Sequence, residues 1–216
     1  QPRILGGDLG VGERLRLRLV PGCGIEFLEV LHDPVDESGT RDVQRHLGVE
    51  SGGYVLVCPG GGGVFNDRRD ATQVFYEASG RLARDACLPV VAVLGARFVP
   101  TEPQPAGVRL LETLPNAQLM GLLRDARVAV INGGSLLLQA LAQHTPCVAA
   151  PIADDQPARI AACEARGYCR STTLDPAALA RAAVGLLDDE RERSSLRDRL
   201  ATLDLRNGVD VAVEAI

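Results

Sequence analysis

The stretch Val128-Ala-Val-Ile-Asn-Gly-Gly-Ser135, continued by Leu136-Leu-Leu-Gln-Ala-Leu-Ala-Gln143, decides how this chain folds. A few apolar residues run into a glycine pair, and a longer apolar run follows. A short continuous apolar run between turn residues marks a strand buried on both faces, and the longer run has helical length. Ser135 stands where a helix N-cap is expected. The reading is therefore a strand over 128–131, a glycine turn, and a helix through Gln143. A second apolar strand follows at Cys147–Ala150, and a helix over about 156–166.

The same rhythm extends outward. Tyr54-Val-Leu-Val-Cys58 is a strand, Pro59-Gly-Gly-Gly-Gly63 a loop, and 68–86 a helix. Strands follow at 89–94 and 107–111, then a helix over about 116–125. Beyond the central stretch come a short strand at 168–170 and helices near 176–187 and 189–203. Strands alternating with helices predict an α/β fold, a Rossmann-like doubly wound parallel sheet. Ligands of such sheets bind beyond the carboxyl ends of the strands, where the glycines lie.

Residues 1–50 read differently. Arg14-Leu-Arg-Leu-Arg-Leu-Val20 alternates with period two, and Gly24-Ile-Glu-Phe-Leu-Glu-Val30 is a second strand candidate. His32-Asp-Pro-Val-Asp-Glu-Ser-Gly39 has linker chemistry, and a short helix ends near Gly48. The expected division is 1–50, an appendage or the remnant of an N-terminal domain plus linker, and 51–216, the Rossmann-like domain.

Composition narrows the function classes. The 216 residues are 46% hydrophobic and 24% charged, an ordinary globular balance. A net charge of −5 lacks the electrostatic footprint of a nucleic-acid binder. All 23 basic residues are Arg, which reads as coding bias. Six scattered cysteines form no CxxC pair and several sit in apolar runs, which predicts reduced thiols and a cytoplasmic setting. Three His without ligand spacing predict no metal site. No apolar run is long enough to span a membrane, while peripheral contact stays open.

Two glycine loops carry the chemistry. Gly60–Gly63 lets backbone N–H groups approach an anion at a helix start, but it lacks the Lys-Ser/Thr of a P-loop and the spacing of a nicotinamide fingerprint. Without a ligand it is simply a strand-to-helix turn. Asn132-Gly133-Gly134-Ser135 repeats the arrangement and is followed by Gln139-Ala140, Thr145-Pro146, an apolar strand, Pro151 and Asp155-Gln156.

The run from Ile131 through Gln156 resembles the donor-site signature of GT-B glycosyltransferases, in which a Gly pair is followed by Glu-Ala, Gly-x-Pro, a strand, Pro and Asp-Gln. The likeness is to UDP-glycosyltransferases and to the N-acetylglucosaminyltransferase of peptidoglycan lipid synthesis, with UDP-sugar hydrolases of nonulosonate pathways close by. It covers roughly residues 50–205. The resemblance implies a UDP- or dTDP-sugar donor. Gly61, Gly62, Gly133, Gly134 and Ser135 would hold its diphosphate. Gln139 would bind the ribose, Asp155 and Gln156 the sugar, and the stretch from Leu111 to Leu114 would line the base. It further implies no cofactor and no bound metal, with backbone N–H groups offsetting the leaving charge. The base and acceptor pocket would come from an N-terminal domain or a separate acceptor-binding subunit; the sequence begins at Gln1 rather than Met. A separate subunit would require an exposed apolar patch near the donor cleft.

This sequence departs from the pattern at three positions. Asn132 replaces a His, Gln139 replaces a Glu, and Arg159 stands where Asn is common. A neutral amide binds a hydroxyl without the added strength of charge. His32, His46 and His144 are isolated, and Asp154 beside Asp155 does not form a metal pair. The catalytic residue stays unassigned. Glycosyl transfer is the first reading. A hydrolase or epimerase acting on the same donor, with His144 or Asp155 as base, is the second. A non-catalytic nucleotide-sugar-binding subunit is the third.

Overall fold

A computed structural model describes residues 17–20, 24–27, 33–60, 69–96 and 98–203. Its first two strands, β1 (Leu17–Val20) and β2 (Gly24–Phe27), pair antiparallel, with Leu17 opposite Phe27.

The remaining strands form one all-parallel sheet of six, built from β3 (Val55–Cys58), β4 (Val90–Val93), β5 (Val108–Leu111), β6 (Val128–Asn132), β7 (Cys147–Ala150) and β8 (Arg170–Ser171). Their order across the sheet is β5-β4-β3-β6-β7-β8. Counted from β3, this is the doubly wound order, in which the chain first moves one way from the centre and then the other. The reversal falls between β3 and β6, which run side by side with Cys58 paired to Ile131.

Alternation along the strands explains why their sequences are apolar throughout. Leu56, Val91, Ala129, Ile131, Cys147 and Ala149 join one buried cluster, with Leu123, Leu137 and Ile160 of the covering helices. Val55, Val57, Val90, Val130 and Val148 join the opposite cluster, with Phe75, Leu82 and Leu179. Both faces are covered along β3, β4, β6 and β7, which are buried at every position, while the edge strands β5 and β8 meet water at Arg109 and, in part, at Arg170 and Ser171.

The helices are α1 (Glu37–Leu47), α2 (Arg69–Asp85), α3 (Asn116–Asp125), α4 (Ser135–Ala142), α5 (Gln156–Ala165), α6 (Pro176–Asp188) and α7 (Glu190–Ala201). The division expected at residue 50 falls inside a packed unit, because α1 lies against α3. Gln44 donates to Asp125 at 2.9 Å, Arg124 to Glu37, and Leu47 and Val49 enter the core. Gly121 permits this approach: a Cβ there would collide with the Thr40 side chain.

Candidate functional site

The site lies at the carboxyl ends of β3 and β6, where the sheet reverses direction. Asn132, the last residue of β6, is only 8% exposed and spans the reversal. Its Nδ2 donates to the carbonyl of Pro59, just beyond β3, and its Oδ1 accepts from the Gly134 N–H at 2.7 Å. The second contact is an Asx turn, the local bond that an Asn makes to the residue two further on. The adjoining glycines make room for this side chain. Gly60, at φ +89°, would carry a Cβ into the Asn132 amide nitrogen, and a Cβ on Gly134 would stand 2.9 Å from Asn132 Oδ1. One buried amide therefore ties the Asn132–Gly134 turn to Pro59 and Gly60, where the first loop begins.

Gly133 has a different reason. A Cβ there would lie 2.5 Å from Ile160 Cδ1 and 3.0 Å from Gln156 Cβ, so its small size lets β6 and α5 approach. The Gly133 N–H donates to Gln156 Oε1 at 3.2 Å, and the same oxygen accepts from Ile152 N at 2.8 Å. Gln156, 6% exposed, thus ties the β6–α4 turn to the β7–α5 turn. On the far side of the same residue, Arg159 Nη1 donates to the Gly133 carbonyl at 2.7 Å. Arg159 Nη2 reaches Asp155 Oδ2 at 3.1 Å; their side chains are 16% and 67% exposed.

Several residues singled out from sequence therefore meet here. Gly133, Gly134, Asp155 and Gln156 are linked directly or through Asn132 and Arg159. Ser135 is exposed at the start of α4, but it is not the N-cap: Gly134 is, and no side chain caps that helix. Ser135 is the first residue of α4, one place inside the cap position that Gly134 fills. Its hydroxyl is free of a capping role. Gln139 lies one turn further on, 6% exposed, and i,i+4 spacing gives it the face of α4 that Ser135 occupies. Leu111 and Leu114 are half-buried against the core at the end of β5, at the far edge of the sheet. Gly61 and Gly62 lie outside the described residues, as does His32.

His144 does not reach this site. It sits beyond the other end of α4 with φ +54°, and its neighbour Thr145 returns a backbone bond to the Ala140 carbonyl at 2.9 Å. This is the left-handed residue that ends a helix, the position usually given to glycine. With α4 running between it and the glycine turn, His144 cannot act as base for a molecule bound there. Cys58, directly beneath the first loop, is also inert. Burial pushes its thiol up to about 11, against the opposing pull of the Gly60 N–H.

From the sequence, Asn132 and Arg159 are departures from the family pattern that carry no assigned role. The signal for Asn132 was available, since Asn before Gly-Gly at a strand end predicts an Asx turn. Nothing in the sequence joins Arg159 to the Gly133 carbonyl. Among the described residues no group of His, Cys, Asp and Glu is arranged to hold a metal ion. The described surface leaves one large apolar side chain exposed, Val99 at 81%, so the apolar docking patch expected for a separate subunit is not found among these residues. No described helix is long and apolar enough to cross a membrane.

The architecture has many solved counterparts. The calicheamicin glycosyltransferase matches 75% of this chain and 42% of its own, at 22% identity and a TM-score of 0.59. A UDP-glucose:anthocyanidin 3-O-glucosyltransferase solved in complex with UDP matches 79% of this chain and 39% of its own, at 16% identity and a TM-score of 0.56. A putative UDP-N-acetylglucosamine 2-epimerase from Listeria monocytogenes matches 76% and 42%, at 15% identity and a TM-score of 0.54. The chain spans about four-tenths of the length of these proteins. No family model matches the sequence, and no curated protein does. The fold is that of the C-terminal, Rossmann-like domain of GT-B glycosyltransferases.

Proposed function

We propose that this chain is the donor-binding part of a glycosyltransferase that uses a UDP- or dTDP-sugar. The observation that carries the reading is the meeting of the Gly133-Gly134-Ser135 turn with the Asp155-Gln156 turn at the sheet reversal, on a fold shared with glycosyltransferases. A neighbour on the same fold was solved with UDP, which supports a nucleoside diphosphate as the ligand class.

In this reading the diphosphate sits at the start of α4. Helix geometry leaves the first N–H groups without intrahelical acceptors, and the dipole there favours negative charge by about 0.3–2 kcal/mol. The Gly133 and Gly134 N–H groups already serve Gln156 and Asn132. The donors left for the ligand are the N–H groups of Ser135 and Leu136 and the Ser135 hydroxyl. Gln139, one turn along the same face, takes the ribose, and Asp155 accepts from sugar hydroxyls. An acceptor hydroxyl attacks the anomeric carbon as the diphosphate departs. These fixed donors stabilise the leaving charge without a metal. The acceptor pocket and base belong to an N-terminal domain rather than to another subunit, for which the described residues offer no apolar docking patch, and the protein acts in the cytoplasm.

The epimerase among the structural neighbours supports a second reading, in which the same donor is hydrolysed or epimerised with Asp155 as the remaining candidate base. Release of free sugar, or a change of sugar configuration, without any acceptor would favour it.

Calorimetric titration of the chain with UDP, dTDP and a UDP-sugar tests the site. Binding that weakens in Ser135→Ala and Gln139→Ala is the expected result. A folded chain that binds none of the three would sink the reading.

A further inference from the structure

We propose that Arg159 is a diphosphate-binding residue, held in place by Asp155 and by the Gly133 carbonyl. The inference rests on the donor-site reading above and adds to it a cation that the family pattern does not contain.

Three observations converge on it. The first is a shortage. The Gly133 and Gly134 N–H groups, which the pattern assigns to the phosphates, are both consumed internally. An anion at the start of α4 therefore meets fewer backbone donors than the glycine pair promises.

The second is an electrostatic cost. Arg159 is the fourth residue of α5, and a cation in the first turn of a helix opposes the positive end of its dipole. Its side chain is also largely withdrawn from water. Its bond to the Gly133 carbonyl offsets part of that cost, and a residue set against a local rule is expected where it serves a ligand. Asp155 offsets the charge, but it is itself mostly exposed and so a weak partner.

The third is position and capacity. The 2.7 Å bond to the Gly133 carbonyl sets the guanidinium beside the turn that opens α4. A guanidinium has five N–H donors, and its bonds to Gly133 and Asp155 leave donors over for phosphate oxygens. When the diphosphate arrives, Arg159 exchanges the Asp155 carboxylate for it. The freed carboxylate then accepts from sugar hydroxyls. The pair thus couples recognition of the diphosphate to release of the sugar-binding side chain.

The test uses the full chain with UDP, UMP and UDP-sugar, comparing wild type with Arg159→Gln and Arg159→Lys. Thermal melting is measured alongside to confirm that each variant folds. The glutamine variant should lose about tenfold or more in UDP affinity, the range of a hydrogen bond to a charged group. UMP binding should change less, so the UDP-to-UMP preference should fall, and lysine should restore part of it. The dependence of UDP affinity on salt should flatten in the glutamine variant. If wild type prefers UDP and the glutamine variant keeps the same preference, Arg159 is not a phosphate ligand although the donor reading survives. An equal loss for UDP and UMP would also overturn it, by assigning Arg159 a purely structural part. Should glutamine prevent folding, the lysine variant decides: an unchanged UDP-to-UMP preference would count against the proposal, and a partial drop in it would support it. If wild type binds neither UDP nor dTDP, both the donor reading and this one fail together.

Discussion

Helices α6 and α4 begin in opposite ways. Helix α6 opens on Asp175, whose carboxylate accepts from the Ala178 N–H at 2.8 Å, with Pro176 next in the chain. Helices α1 and α7 open on Asp36 and Asp189 in the same manner. Helix α4 opens on Gly134 and α5 on Asp155, and neither receives a side-chain cap. A cap contributes about 1 kcal/mol, so leaving it out costs stability unless something else uses the exposed N–H groups. Helix α3, which opens on Pro115, also lacks a side-chain cap, but α4 and α5 are the two whose starts are tied together beside the sheet reversal. Where an aspartate carboxylate accepts from the first turn, as in α1, α6 and α7, the helix start is finished structure; the starts of α4 and α5 carry no such bond and are organised from beneath by Asn132 and Gln156.

This contrast can be broken or sharpened by substitution. The largest effect belongs to Asn132→Ala, which strands the Gly134 N–H and the Pro59 carbonyl in a buried setting. The expected loss is about 2–4 kcal/mol of unfolding free energy in urea titration. A loss no greater than that of a missing cap would mean that Asn132 does not organise the turn. Next comes the pair Asp175→Ala and Ser135→Ala. The first should lower stability by about 1 kcal/mol and leave UDP binding as it was. The second should stay within about 0.5 kcal/mol of wild type, as an exposed residue without a capping bond, while UDP binding weakens. The reverse outcome in either assay erases the distinction between the two helix starts. The smallest effect concerns the far end of α4. His144→Gly should raise stability by about 0.5–1 kcal/mol, because glycine takes the left-handed conformation without strain. A lower melting temperature would show that the His144 side chain makes a contribution of its own.

The strands of the sheet were legible because burial on both faces leaves a continuous apolar run, and the glycine turns marked their carboxyl ends. Helix α1 was assigned to an appendage because its inward face is sparse and partly polar. Thr40, Gln44 and Leu47 carry it, and the position that receives Thr40 is Gly121, distant in sequence. No periodicity within α1 could reveal that. The glycines of the site were found, but part of their purpose was not. A glycine that admits a ligand and one that admits Asn132 or Ile160 look alike in sequence, because both read only as a missing Cβ. Gln156 is similar: its amide suits a sugar hydroxyl and a backbone N–H equally well. Tertiary contact, not residue type, separates those roles.

The bond between Asn132 and Pro59 joins residues 73 apart in the chain, as does the β3–β6 pairing beneath it. Contacts of such span carry the loop-closure entropy that slows folding, while the helix turns and the β6–β7 crossover close over shorter distances. The two halves of the sheet can therefore gain order before they meet, but the crevice cannot. It comes into being only at the step that joins them, so a nascent or partly folded chain has no ligand site to offer, and a ligand added during refolding should speed none of the earlier steps.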